Sequence, residues 1–220
     1  MKRVKISLVL NIIIVLFTLF ASVCMFTGFK FMSGKDVILQ SANIGMLRFF
    51  TVDSNLFMCL IALIFAYFDF ILLKKEIKEI PKYMYILKLM ATTGVALTFV
   101  ITFTYLACII DGGVIVLIKN SNLFFHFLNP VLSIITFMFF EKTNKLNFKD
   151  TFLGLVPIGL YAMYYLSNIL IHINHGKVSP KYDFYWFAQS GLWTIFIVIP
   201  IIFLLTYGIS FVLWKVNKEK

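Results

Sequence analysis

Charge is what this chain has least of. Charged side chains make up 14% of its 220 residues, and only 10 of them are acids, which leaves no room for a soluble domain beside the apolar segments. Cysteine is equally sparse. Cys24, Cys59 and Cys108 all fall inside apolar runs and form no CxxC pair, so neither a disulfide framework nor a zinc site is supported. Of the three histidines, His172 and His175 have no acid or cysteine at ligand spacing, and a solvated turn is the expected setting for both. No metal or cofactor is indicated. The excess of 20 basic over 10 acidic residues would suit a nucleic-acid binder, but the lysines sit in short loops rather than on a basic face, and nucleic acid is excluded as a partner.

What the chain has in abundance is hydrocarbon: 61% hydrophobic residues and a mean hydropathy of +0.94. These residues gather into six runs, at 6–29, 44–73, 84–110, 122–140, 152–171 and 191–213. A membrane core about 30 Å thick takes roughly 20 residues of helix, and a backbone facing lipid must satisfy its own hydrogen bonds. The expected fold is therefore all-α: a single six-helix integral membrane domain over 1–220, multi-pass in the cell membrane. The first run follows Lys2, Arg3 and Lys5, as a signal peptide would. Its apolar stretch exceeds a signal core and lacks a small-x-small cleavage site, so it is expected to stay as a helix.

Lysine and arginine give the expected orientation. The stretches 1–5, 74–88, 142–149 and 215–220 carry fourteen of the 20 basic residues, against six on the other side. By the positive-inside bias both termini are cytoplasmic, and runs two, four and six cross from outside to inside. Lysine use over arginine, with much isoleucine, asparagine and phenylalanine, points to an AT-rich bacterial genome.

That orientation puts two polar clusters at the outer end, around Arg48, Thr51, Ser54 and Asn55 in run two and Asn122, His126 and Asn129 in run four. With Arg48 snorkelling at the interface, Thr51 lies about 5 Å below it at 1.5 Å per residue, and His126 about 9 Å below Asn120. Arg48, Thr51 and Asn55 share one helical stripe; Asn122, His126 and Asn129 share another. Run five carries Tyr161, Tyr165 and Asn168 at steps of four and three, and run three adds Thr98, Thr102 and Tyr105. Unpaired polar groups are costly in lipid, so these stripes are expected to line one outward-opening cavity.

Several of these segments also carry a resemblance. Phe50-Thr51-Val52-Asp53-Ser54-Asn55, His126-Phe127-Leu128-Asn129-Pro130, Phe139-Phe140-Glu141 and Tyr182-Asp183-Phe184-Tyr185-Trp186-Phe187 resemble, in order and helix count, bacterial relatives of the androgen-induced-protein family of six-helix membrane proteins. The resemblance implies a threonine hydrolase of fatty-acid esters, with the essential threonine and histidine falling on Thr51 and His126. Asp53, where an uncharged residue is expected, and the lack of a proline in the aromatic segment depart from the pattern. In this chemistry His126 takes the Thr51 proton and later protonates the leaving alcohol, while Asn55, Asn122 or Arg48 stabilises the oxyanion. Membrane lipids are the partners, and an amphiphilic acyl ester is the substrate.

Plainer roles compete. A membrane threonine ordinarily bonds the carbonyl one turn back, and His126 would also serve as an interhelical bond to Asn55 or Ser54. Asp53 is about 200° around its helix from Thr51 and is expected to pair with Lys30 or Lys35. Tyr182 to Phe187 fits an aromatic belt at the interface. A small-solute transporter or channel, or a non-catalytic interaction protein, are the rival functions.

Overall fold

The computed structural model describes residues 1–33, 42–175, 177–188 and 191–218. Six helices in it are long and apolar enough to cross a membrane: α1 (Lys2–Thr27), α2 (Phe50–Leu73), α3 (Lys82–Ile109), α4 (Ser121–Phe140), α5 (Phe148–Ile171) and α6 (Leu192–Asn217). The described residues are otherwise loops, short turns and a short helix at Gly113–Leu117, with a single isolated bridge between Asn174 and Lys177. The chain is an all-α, multi-pass membrane protein.

Local chemistry explains most of the boundaries. α1 stops at Gly28, whose left-handed φ of 71° suits a residue without a Cβ. α3 starts after Pro81, which fixes an extended backbone before the first turn. α5 opens with a reciprocal cap, in which the Asp150 carboxylate accepts from the Asn147 amide at 2.6 Å. The second span is shorter than its apolar run. Residues Asn43–Arg48 form a separate 3-10 turn, and Phe49 is extended, so α2 begins at Phe50.

α3 is the central helix, with 61% of its apolar window buried against 17% for α6. It packs on α2, α4 and α6, while α1 lies along α2 and α4. Small residues permit the close approaches. A Cβ on Gly154 of α5 would meet Ser210 Oγ of α6 at 2.3 Å, and the Ser210 hydroxyl donates to the Thr151 carbonyl at 2.8 Å. The shared core beneath the distal, lysine-poor end contains Val52, Phe125, Tyr165 and Phe184.

One lysine is not where sequence composition put it. Lys88, counted above among the loop lysines, lies inside α3 and is fully buried. Glu141 sits 3.1 Å from its ammonium and pairs with it.

Candidate functional site

The site starts from a proline. Pro130 has no N–H, and its ring crowds the carbonyl four residues back, that of His126. α4 accommodates this with a π turn over Phe124–Leu128, in which the Asn129 N–H reaches back to the Phe124 carbonyl. In that register the Phe125 carbonyl would look to residue 130 for its donor, and proline has none. Asn55 of α2 fills the gap: its Nδ2 donates to the Phe125 carbonyl at 3.1 Å. The same Nδ2 donates to the Thr51 carbonyl at 2.8 Å, and Asn55 Oδ1 accepts from Asn129 Nδ2 at 3.1 Å. Asn129 also donates to Thr18 of α1 at 3.0 Å. Three helices thus meet on two asparagines.

His126 is buried at 6% exposure in the middle of this π turn. Its Nδ1 lies 2.6 Å from the Leu117 carbonyl, on the short helix Gly113–Leu117. A carbonyl only accepts, so Nδ1 carries the proton and the neutral ring presents a lone pair at Nε2. Among the described residues no hydrogen bond engages that Nε2.

Thr51 stands in the first turn of α2 and is half-buried. Thr18, Thr104, Thr136 and Thr206 each donate to the carbonyl four residues back. The Thr51 hydroxyl makes no hydrogen bond among the described residues, because its counterpart, Leu47, belongs to the preceding 3-10 turn rather than to the helix. Two tyrosines clamp this helix start: Tyr185 Oη accepts from the Phe50 amide at 2.9 Å, and Tyr161 Oη donates to the Arg48 carbonyl at 2.5 Å. Burial pushes the Tyr185 phenol up to about 12, so it remains protonated at any physiological pH.

No hydrogen bond joins Thr51 to His126 among the described residues. Their turns are tied through Asn55. The oxyanion candidates separate. Asn55 is already committed on both its amide nitrogen and its oxygen, so it positions the two turns rather than offering a free donor. Asn122 is 2% exposed, and its Nδ2 has no partner among the described residues. Arg48 is half-buried and lies against aromatic rings. Its guanidinium lies 4.8 Å from the Phe49 ring and 5.5 Å from that of Phe184, and its buried Nε has no partner among the described residues.

The expected cavity lining is redistributed. Ser54 lies 3.3 Å from Thr98 across the α2–α3 contact, and Thr102 is buried, so these face the bundle interior. Tyr105 is 52% exposed and stands apart from the cluster; it lies within the π turn Thr102–Leu106, where helical stripes drift off register. The α5 stripe turns to another task. Tyr165 donates to Asp183, and Asn168 donates to the Tyr182 carbonyl at 2.8 Å, so both hold the segment after α5. That segment is drawn partly into the bundle. Asp183 and Phe184 are 1% and 5% exposed, and Asp183 accepts from the amides of Phe187 and Ala188 at 3.0 and 2.9 Å. It folds in over the start of α2, where Phe184 packs edge-on against Phe49. A distal pocket of about 130 Å³ opens on the α1–α4 side, beside Asn120 and Ser121, away from Thr51.

Asp53 forms no ion pair or hydrogen bond among the described residues, and Lys35 lies outside them. It occupies the first turn of α2, where the helix dipole favours an acid. His172 stacks on Tyr182 at 3.5 Å and bonds the Asn168 carbonyl, a structural role; His175 is exposed. No three metal-ligating side chains gather among the described residues.

Sequence reading missed a second polar cluster, at the lysine-rich end: Ser7, Asn11, Asp69, Lys88 and Glu141, all buried. Its signal was present in Ser7 and Asn11, spaced by four on an apolar helix, and in Asp69 within another. No family model, curated protein or solved structure matches the chain.

Proposed function

We propose that the distal cluster is the reaction centre of an intramembrane lipid-ester hydrolase, working in a bacterial cell membrane with both termini in the cytoplasm. The observation that carries this reading is the Asn55 amide, which spans the Thr51 carbonyl at 2.8 Å and the Phe125 carbonyl at 3.1 Å and so ties the threonine turn to the histidine turn. A hydroxyl free of its own helix and an imidazole protonated at Nδ1 are the two states that nucleophilic catalysis needs. The family resemblance of the surrounding segments points the same way.

In the proposed reaction the Thr51 oxygen attacks the acyl carbon while its proton passes to His126 Nε2. The oxyanion takes hydrogen bonds from Asn122 Nδ2 and the Arg48 guanidinium, the two groups with donors to spare. Collapse breaks the ester C–O bond, and the leaving alkoxide takes the proton from His126. Water, deprotonated by the same nitrogen, then cleaves the acyl-threonine, releasing a fatty acid and restoring both residues. Apo contacts of this type are often loose and tighten on substrate. The acyl chain enters from the lipid.

Labelling of the purified protein by a lipophilic fluorophosphonate tests the reading. Wild type should label and Thr51→Ala should not. Equal labelling of the two, or no labelling and no ester turnover by wild type, ends it.

A further inference from the structure

The lysine-rich end of the bundle holds charge that the hydrolytic reading does not use. Lys88 of α3 is 3.1 Å from Glu141 Oε1 and bonds Asn11 Oδ1. Asn11 Nδ2 donates to the same Glu141 oxygen at 2.8 Å, and Ser7 Oγ donates to Asp69 at 2.6 Å. Two carboxylates therefore face one ammonium, and all three side chains are at most 2% exposed. The excess negative charge has a place to be met. Glu141 Oε2 is buried with no hydrogen-bond partner among the described residues, an expensive state for a carboxylate oxygen.

Glu141 and Asp69 line a pocket of about 420 Å³ at the end of the bundle where the chain begins. Its walls include Phe65, Tyr85 and Phe140, and its lining extends to the basic residues Lys2, Arg3 and Lys142. Lys2 is exposed and Lys142 half-buried, which puts the positive charge toward solvent and the negative charge at depth. A bare metal ion would need a shell of oxygens, whereas here an ammonium already occupies the centre of the cluster. Aromatic walls and a volume of this size suit an organic cation. The basic lining would repel a simple amine but welcome a molecule with an anionic group behind its ammonium.

From this arrangement we infer that the pocket binds a small zwitterion, a primary ammonium directed at Glu141 and Asp69 and a phosphate or carboxylate left at Lys2 and Lys142. The N–H donors of a primary amine match the unpartnered Oε2; a quaternary amine has none. Two sources share this chemistry: the headgroup of an aminophospholipid in the adjoining leaflet, and a soluble amino-phosphate or amino acid.

The full chain in detergent is titrated calorimetrically with phosphoethanolamine, phosphocholine and glycerol phosphate, and native mass spectrometry reads which lipids stay bound after exposure to phosphatidylethanolamine or phosphatidylglycerol. The expected result is saturable binding of phosphoethanolamine, or selective retention of phosphatidylethanolamine, at least tenfold weaker for Glu141→Gln and Asp69→Asn. Phosphocholine and glycerol phosphate should bind at least tenfold more weakly. Asp69→Asn leaves the Lys88–Glu141 pair intact and serves where Glu141→Gln does not fold. Equal binding by Asp69→Asn and wild type overturns the inference, as does equal binding of glycerol phosphate. Absence of saturable binding from both sources also overturns it and leaves a proton as the neutralising charge. None of these readouts involves Thr51, so either proposal can fail alone.

Discussion

Asn55 on α2 donates its side-chain amide to the backbone carbonyl of Phe125 on α4, at 3.1 Å. This bond exists because Pro130, five residues beyond Phe125, lacks the hydrogen that a π-turn register would call for. A defect in one helix is repaired by a side chain from another, and the repair brings the Thr51 turn beside the His126 turn.

Replacing Asn55 by Ala should therefore destabilise the protein by about 1–3 kcal/mol, the usual cost of stranding buried carbonyls. Thermal unfolding in detergent measures it. A loss no larger than that of an exposed polar residue just past the end of the same helix, such as Lys74→Ala, would contradict the repair.

Pro130→Ala supplies a backbone N–H near the orphaned carbonyl and relaxes the need for the π turn. A double-mutant cycle with Asn55→Ala should be non-additive, with a coupling of about 0.5–2 kcal/mol. Additive losses would mean that the two features are unrelated.

His126 has two ring nitrogens with separate tasks, and Asn separates them. His126→Asn offers an N–H close to the Nδ1 position, keeping the Leu117 contact, but has nothing at Nε2. Its melting temperature should stay near wild type while fluorophosphonate labelling of Thr51 falls by about 10²-fold or more. Undiminished labelling would remove His126 from the chemistry.

Lys88→Met leaves Glu141 and Asp69 without their cation and should cost about 3–5 kcal/mol. Adding Glu141→Gln to Lys88→Met should recover part of that loss. Lys82→Met, which removes only the partly exposed ion pair to Asp150 at 2.8 Å, should cost about 1 kcal/mol or less. Unfolding midpoints in detergent would show whether the order is reversed.

Gly154 is an independent probe of helix packing. Gly154→Ala puts a methyl group against Ser210, whose Cβ lies 2.7 Å from the ideal position, and should destabilise by about 1–3 kcal/mol. Ser210→Gly in the same chain should restore part of it. No change on Gly154→Ala would indicate a looser α5–α6 contact.

Reading residue types alone succeeded where the physics is local. A run of about 20 apolar residues is sufficient reason for a membrane helix, and all six runs fold as such. Polar residues inside those runs were legible as a group, because lipid gives them no partner. Their destinations were not. Lys88 looks like any lysine at a helix end, yet it is buried against Glu141, 53 positions away. Tyr105 shares a nominal stripe with Thr98 and Thr102 but leaves it at a π turn, and periodicity at 3.6 residues assumes the turn never widens.

The amino-acid sequence by itself determined the number of spans and the presence of polar groups within them, since each follows from the cost of transferring single residues into hydrocarbon. Tertiary structure alone decided which of those groups are spent and which are free. Among the described residues Asn55 is consumed by a carbonyl on another helix, Asn122 and Glu141 each keep an unpaired atom, and the Thr51 hydroxyl makes no hydrogen bond. Hydrogen bonding is settled pair by pair at distances of about 3 Å, and residues remote in the chain acquire such distances only once the helices pack.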